Sequence, residues 1–221
     1  MRDIRDFFHI PESKIEVVYQ GCDPIFGQAV QEDVKSSVRE KYQINGPYIL
    51  YVGSIEKRKN LLLLVKALKA LKEDISVIAI GKHTPYTDTV ETYIRENNLS
   101  GRVRILTHIP FNELAAFYQM ATLFVYPSFF RRIRYPDIRS PACRYSGDSG
   151  YRFLSGRGGR IVRSIYRSEN EQELRGLIES VLNEPKLAES MRSGGRENIR
   201  RFMPDVLAAH FMRVYENISR S

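Results

Sequence analysis

The sequence predicts an α/β domain in which a parallel sheet carries helices on its faces. Three observations carry that prediction. Short apolar runs of strand length recur at Tyr48–Val52, Ser76–Ile80, Val103–Leu106 and Leu123–Tyr126. Stretches of helical period separate them, at Asn60–Lys72, Pro85–Glu96 and Asn112–Met120. The first two runs end in Gly53 and Gly81, turns at which a strand hands over to a helix. Strands alternating with helices at this spacing imply βαβ units and hence a parallel sheet.

Taken in order, Asp3–Phe8 reads as the end of a helix and Lys14–Tyr19 as a strand leading into QGCDPIF. Gln28–Tyr42 has the pattern of a polar surface helix. Tyr48–Val52 follows as a buried strand, Gly53 as a tight turn, and Lys57, Arg58 and Lys59 as a charged lead into a helix beginning near Asn60. At such a turn the strand's carboxyl end and the helix's amino end face one crevice. Free N–H groups and Lys or Arg can hold a phosphate there. The same three cations would also serve as a solvated helix start, and spacing alone does not separate the two readings.

The helix from Asn60 presents Leu62, Leu63, Val65, Leu68 and Leu71 on an apolar face. Ser76–Ile80 is a second buried strand stopped by Gly81, and Pro85–Glu96 a helix stopping near Asn97 and Asn98. After a third strand, a break at Pro110 leads to a helix for which Asn112 is a natural N-cap. Leu123–Tyr126 is the fourth strand. The tail, Glu169–Arg220, reads as helices, with Pro185 and Pro204 at helix starts, where proline is tolerated.

Composition narrows the class. A chain of 221 residues is long enough for one good-sized core, and no apolar run approaches the roughly 20 residues of a membrane span. The mixed charge of the first residues predicts no secretory leader, and Cys22 and Cys143 form neither a disulfide framework nor a metal site. A cytoplasmic location is expected. The net charge is +8, yet Arg131–Arg167 alone holds ten Arg against two Asp, with no Lys or Glu. The whole excess therefore sits in one segment, and the rest of the chain is neutral. That segment follows neither the helical nor the strand period. So long a stretch without pattern inside a compact domain argues against a simple reading.

Three segments taken together, YILYVGSIEKRKNLLLLVKAL, VRILTHIPFNELAAFYQMATLFVYPS and ENEQELRGLIESVLNEPKLAESMRSGGRENIRRF, resemble the C-terminal domain of the retaining glycosyltransferases of family 4, also called group 1. These have the two-domain GT-B architecture. The resemblance implies a Rossmann-like parallel sheet with flanking helices, incomplete after residue 130. It implies that residues 1–25 are the remnant of an N-terminal domain and linker. Residues 26–221 are then a nucleotide-sugar-binding domain, irregular over 131–167.

By the same resemblance, Arg58 and Lys59 meet the donor diphosphate, and Gly53 lets backbone approach it. Ser54 stands where many members carry another Arg. Gly81 ends the second strand on the nucleotide side, and His108, Ile109 and Pro110 lie where backbone faces the base. The partners implied are a nucleotide-sugar donor, a glycan or lipid-linked acceptor, and the missing N-terminal domain; peripheral membrane association of a full-length parent fits the same picture. No cofactor, metal or nucleic acid is called for.

One departure bears on activity. The family's signature, EGFG with a second Glu eight positions after the first, falls where this chain has Arg131 and Arg139. Neither can accept a hydrogen bond, so the catalytic residues are unknown. Dropping the first base of the Arg131 codon lets Arg131–Arg139 be re-read as Glu-Gly-Phe-Gly-Ile-Pro-Ile-Phe-Glu, with further family pieces following in order. A compensated frameshift, one base gained near Phe130 and one lost near Ser168, explains the Arg excess. It predicts a segment that has lost a core helix and two sheet strands.

The function implied is hexosyl transfer from a nucleotide-sugar donor, impaired in this chain. The alternatives are a non-catalytic truncated remnant without ligand and, last, a basic nucleic-acid-binding protein using the Arg-rich segment. The latter predicts steeply salt-dependent binding.

Overall fold

The structure is a computed structural model that describes residues 7–18, 21, 23–128, 170–184, 186–187 and 203–219, with the backbone of 153–155. Its centre is a sheet of β1 (Tyr48–Val52), β2 (Ser76–Ile80), β3 (Val103–Leu106), β4 (Leu123–Tyr126) and β5 (Phe153–Ser155). The strands lie in the order β3-β2-β1-β4-β5, every pair parallel. Tyr48 stands opposite Ser76, Val77 opposite Val103, Ile49 opposite Leu123 and Phe124 opposite Phe153. This is the Rossmann order: the chain runs outward from β1 through β2 to β3, then returns to β1's other side for β4.

The helices described end to end are α1 (Glu32–Lys41), α2 (Leu61–Ala70), α3 (Pro85–Glu96), α4 (Phe111–Met120), α5 (Glu171–Asn183) and α6 (Pro204–Ser219). Short 3-10 turns lie at Glu12–Lys14, Pro24–Gly27 and Lys57–Lys59. β1 is buried at all five residues, as is expected of a central strand covered on both faces, which must therefore be continuously apolar. α2 buries Leu61, Leu63, Leu64, Val65, Ala67 and Leu68 and packs on α5, whose Leu174, Ile178 and Val181 are buried in turn. α4 buries Ala115, Ala116, Phe117 and Tyr118, and Tyr48 Oη donates to its Phe117 carbonyl at 2.7 Å. A buried phenol needs such a partner, because an unmade hydrogen bond in the core costs about 1–3 kcal/mol. No helix among the described residues is long and apolar enough to cross a membrane.

Strands β1 to β4 and helix α3 have the bounds that the apolar and helical periods predict, and four other readings are corrected. Ile15–Val18 is not a strand. Ile15 is extended, at φ −117° and ψ 108°, but an extended segment becomes a strand only with a neighbour for its ladder. α2 begins at Leu61, because Asn60 adopts a left-handed conformation (φ 55°, ψ 42°) and makes no side-chain cap. Leu62 is only partly buried, and Leu64 takes its place on the inner face.

Asn112 is not the N-cap of α4. Pro110, at φ −56° and ψ 139°, holds that position, again without a side-chain bond. Phe111 starts the helix with its ring edge-on to Phe26, centroids 5.5 Å apart.

The sheet, expected to be incomplete after residue 130, carries one short strand there. β5 lies within the segment read as having no period and pairs with β4 through Tyr126 opposite Ser155. The frameshift reading otherwise falls on residues outside those described, as do Asp3–Asp6 and most of the tail between α5 and α6.

Candidate functional site

The topological switch point of this sheet lies between β1 and β4, whose chain connections leave in opposite directions. In open α/β sheets the crevice outside the strands' carboxyl ends at that point is where ligands bind. Gly53 follows β1 at this place, with φ +156°. A Cβ there would come within 3.2 Å of the Tyr126 ring at the end of β4 and 3.6 Å of Lys59 Cδ. The turn therefore needs glycine both for its conformation and for its neighbours. On its other side Gly53 packs against Gly81, where a Cβ would lie 1.9 Å from Gly53 O. Gly53 N–H donates to Ile80 O at 2.8 Å, and Gly81 N–H to Leu106 O at 3.0 Å. The carboxyl ends of β1, β2 and β3 are thus stitched into one rim.

Residues 54–60 fold over the switch point. Thr84, which caps α3 through a capping box with Thr87, also donates from Oγ1 to Ile55 O. Tyr51 Oη donates to Ser54 O at 3.3 Å, and its ring stacks on Tyr126 with centroids 5.6 Å apart. The 3-10 turn Lys57–Lys59 then brings its last residue back over the turn. Lys59 Nζ donates to Ser54 Oγ, which itself donates to Glu56 Oε1. Lys59 Nζ lies 3.4 Å from the same Glu56 oxygen, and Arg58 Nε pairs with Glu56 Oε2. Lys59 is only 12% exposed and Arg58 47%. Just beyond β4, Ser128 Oγ donates to Arg58 O at 3.1 Å, which ties the cationic turn to the far side of the switch point. The Ser54 hydroxyl foremost, with the Lys59 and Arg58 charges, holds the Glu56 carboxyl below its usual range despite partial burial.

The structure thus brings together five of the residues singled out by sequence: Gly53, Ser54, Arg58, Lys59 and Gly81. His108, Ile109 and Pro110 follow β3 on the same carboxyl rim, two strands from β1. His108 is exposed and left-handed at φ 57°, and Ile109 packs against the core. Arg131 and Arg139 lie outside the described residues.

Sequence reasoning missed Glu56, Tyr126, Ser128 and Thr84. Glu56 was the most legible of the four, since it stands three residues before Lys59 in the same turn. Among the described residues, one grouping of three potential metal donors occurs, His83, Asp88 and Glu91 about the start of α3, with their ligand atoms within 4.8 Å of one another. His83 and Asp88 are exposed and 3.7 Å apart, an ordinary surface pair.

Fold and site together define a Rossmann-like α/β domain with a cationic turn over its switch-point crevice. Residues 34–130 match the sequence profile of the family "Glycosyl transferases group 1". The chain is 26% identical over 210 residues, 91% of its length and 53% of the relative's, to the N-acetylgalactosamine-N,N'-diacetylbacillosaminyl-diphospho-undecaprenol 4-alpha-N-acetylgalactosaminyltransferase of Campylobacter jejuni.

Two solved structures share this Rossmann-like fold. One is a glycosyltransferase from Rickettsia africae, with TM-score 0.86 at 18% identity, covering 100% of this chain and 61% of that one. The other is Anabaena HepE, solved with UDP and glucose, with TM-score 0.77 at 16% identity, covering 93% and 57%. The chain spans between 29% and 53% of the length of the curated relatives it matches.

Proposed function

We propose that residues 26–221 are the donor-binding domain of a retaining glycosyltransferase, and that residues 1–25 are the tail of the half that would hold the acceptor. The donor is a nucleoside-diphosphate sugar lying along the carboxyl rim. Its diphosphate meets Lys59 and Arg58 over the switch point, and Gly53 admits backbone contact. The base lies toward Gly81 and His108–Pro110. One observation carries this reading: a Lys59 side chain only 12% exposed, held at the switch point beside a glycine turn whose positive φ and close Tyr126 ring disfavour any larger residue. A cation placed there stabilises the charge that develops on a leaving diphosphate, and interactions of that kind are the main resource for group transfer.

Kinship supports the same reading. The Anabaena neighbour was solved with UDP, and the Campylobacter relative is named for a lipid-linked acceptor. The acceptor proposed here is accordingly a glycan, free or lipid-linked. With Arg131 and Arg139 in place of carboxylates, the chain as written binds the donor less well than an intact relative and transfers sugar poorly.

The test is calorimetric titration of the chain with UDP, GDP and ADP. One of the three binds, and Lys59→Ala weakens it by about 10- to 100-fold, the equivalent of a charge-assisted hydrogen bond worth roughly 1.5–3 kcal/mol. Binding of none of them, or equal binding by the Ala variant, refutes the reading. Restoring Glu at 131 and 139 through the corrected reading frame then raises donor affinity.

A further inference from the structure

The cationic turn already holds an anion of its own, and this inference rests on the donor-binding reading above. Glu56 gathers the groups that a phosphate would need. One carboxylate oxygen accepts from the Ser54 hydroxyl and lies 3.4 Å from Lys59 Nζ, while the other pairs with Arg58 Nε. The three contacts come from three side chains of one short stretch, with the Lys59 side chain 12% and Glu56 about one-third exposed. A carboxylate and a phosphate face share their recognition chemistry: both take a hydroxyl, an ammonium and a guanidinium fork on adjacent oxygens.

We propose that the Glu56 carboxylate stands on the groups that a donor phosphate would use, and that a diphosphate binds by exchanging with it. Three consequences follow from the geometry. First, the nearly buried Lys59 has a counter-charge when no ligand is bound, without which its desolvation would be costly. Second, the cations are kept in one arrangement, so little ordering remains to be done on binding. Third, an incoming anion must exceed what a single carboxylate offers. This favours ligands with two phosphates, which reach Lys59 and Arg58 together, over singly charged ones. Glu56 is partly exposed and sits in a surface turn, so it can swing outward on exchange without disturbing the buried strands.

The test compares wild type, Glu56→Gln, Lys59→Ala and the double variant, titrated calorimetrically with UDP and with inorganic pyrophosphate. Glutamine keeps the shape and an acceptor oxygen but removes the charge. If Glu56 competes with phosphate, E56Q binds both probes about three- to tenfold more tightly, because a like charge within a few ångströms of the ligand has gone. The gain shrinks by at least half when Lys59→Ala is the background, since the two anions compete chiefly for that ammonium.

Ligand-free E56Q also melts below wild type, having lost Lys59's counter-charge, and the gap closes at saturating UDP. Glu56→Asp, which keeps the charge on a shorter arm, binds close to wild type and serves if E56Q folds poorly. E56Q that binds equally or more weakly, while wild-type binding still depends on Lys59, overturns the exchange and leaves donor binding standing. Absence of binding in every variant overturns the donor reading and the exchange with it.

Discussion

Replacing Gly81 by alanine tests whether the rim that carries the site is as tightly closed as the glycine contact implies. A Cβ on Gly81 would lie 1.9 Å from Gly53 O, 2.6 Å from Gly53 C and 3.2 Å from Ser54 N, all backbone atoms. Carbon contacts are favourable at about 3.5–4.0 Å, and no side-chain rotation relieves a clash with backbone. The carboxyl ends of β1 and β2 must therefore separate. This strains the bonds from Gly53 N–H to Ile80 O and from Ile55 N–H to Lys82 O, at 2.8 and 3.1 Å.

Overpacking costs about 1–3 kcal/mol, and weakening one such bond adds about 1 kcal/mol. The expected loss is about 2–4 kcal/mol. At roughly 2–4 °C per kcal/mol for a chain of this size, the unfolding midpoint falls by about 4–16 °C. Circular dichroism during thermal and urea unfolding measures it. Gly101→Ala, where an added Cβ meets nothing within 4 Å, is the control and stays within about 0.5 kcal/mol of wild type. A Gly81→Ala protein that melts with the control refutes the back-to-back arrangement and, with it, the geometry of the Gly53 turn.

Two further expectations concern stability alone. Gly176 lies inside α5 with open space around a would-be Cβ, so Gly176→Ala stabilises the chain by about 0.5–1 kcal/mol, read as a raised urea midpoint; a lowered midpoint would show that this surface is covered. Burial raises the Glu113 carboxyl, but hydrogen bonds from Lys41 Nζ and Tyr42 Oη, each at 2.6 Å, outweigh it and hold the group below its ordinary 4.5. A depressed folded value means stability that is present above the ordinary value and lost as pH falls through the folded one. Wild type should therefore lead Glu113→Gln in urea unfolding near neutrality, and the lead should vanish in acid. A difference independent of pH would mean that Glu113 acts through packing rather than charge.

What the sequence determined by itself is the set of elements with one dominant cause. β1 and β4 are buried on every residue, so each reads as an unbroken apolar run. α3 has a threonine cap, a proline in its first turn and asparagines at its end, so its bounds are written locally. The closeness of Gly53, Arg58 and Lys59 is likewise a matter of a few residues along the chain. Where the outcome hung on a distant partner, the local pattern was not enough. Ile15–Val18 has strand-forming residues but no ladder, and β5 is a strand because β4 offers it an edge.

The site itself divides the same way. Which cations stand at the turn is legible, but three of its features join residues from separate strands or from opposite ends of a turn. They are Gly81 resting on Gly53, Ser128 reaching Arg58, and Glu56 drawing Ser54, Arg58 and Lys59 onto one carboxylate. Spacing along a chain fixes only which groups are near in sequence. Parallel pairing of β2 and β4 against β1 brings Gly81 onto Gly53 and Ser128 to Arg58, and that pairing is decided by burial of the whole sheet rather than by any one stretch of it; the Glu56 contacts depend instead on how residues 54–59 fold back on themselves.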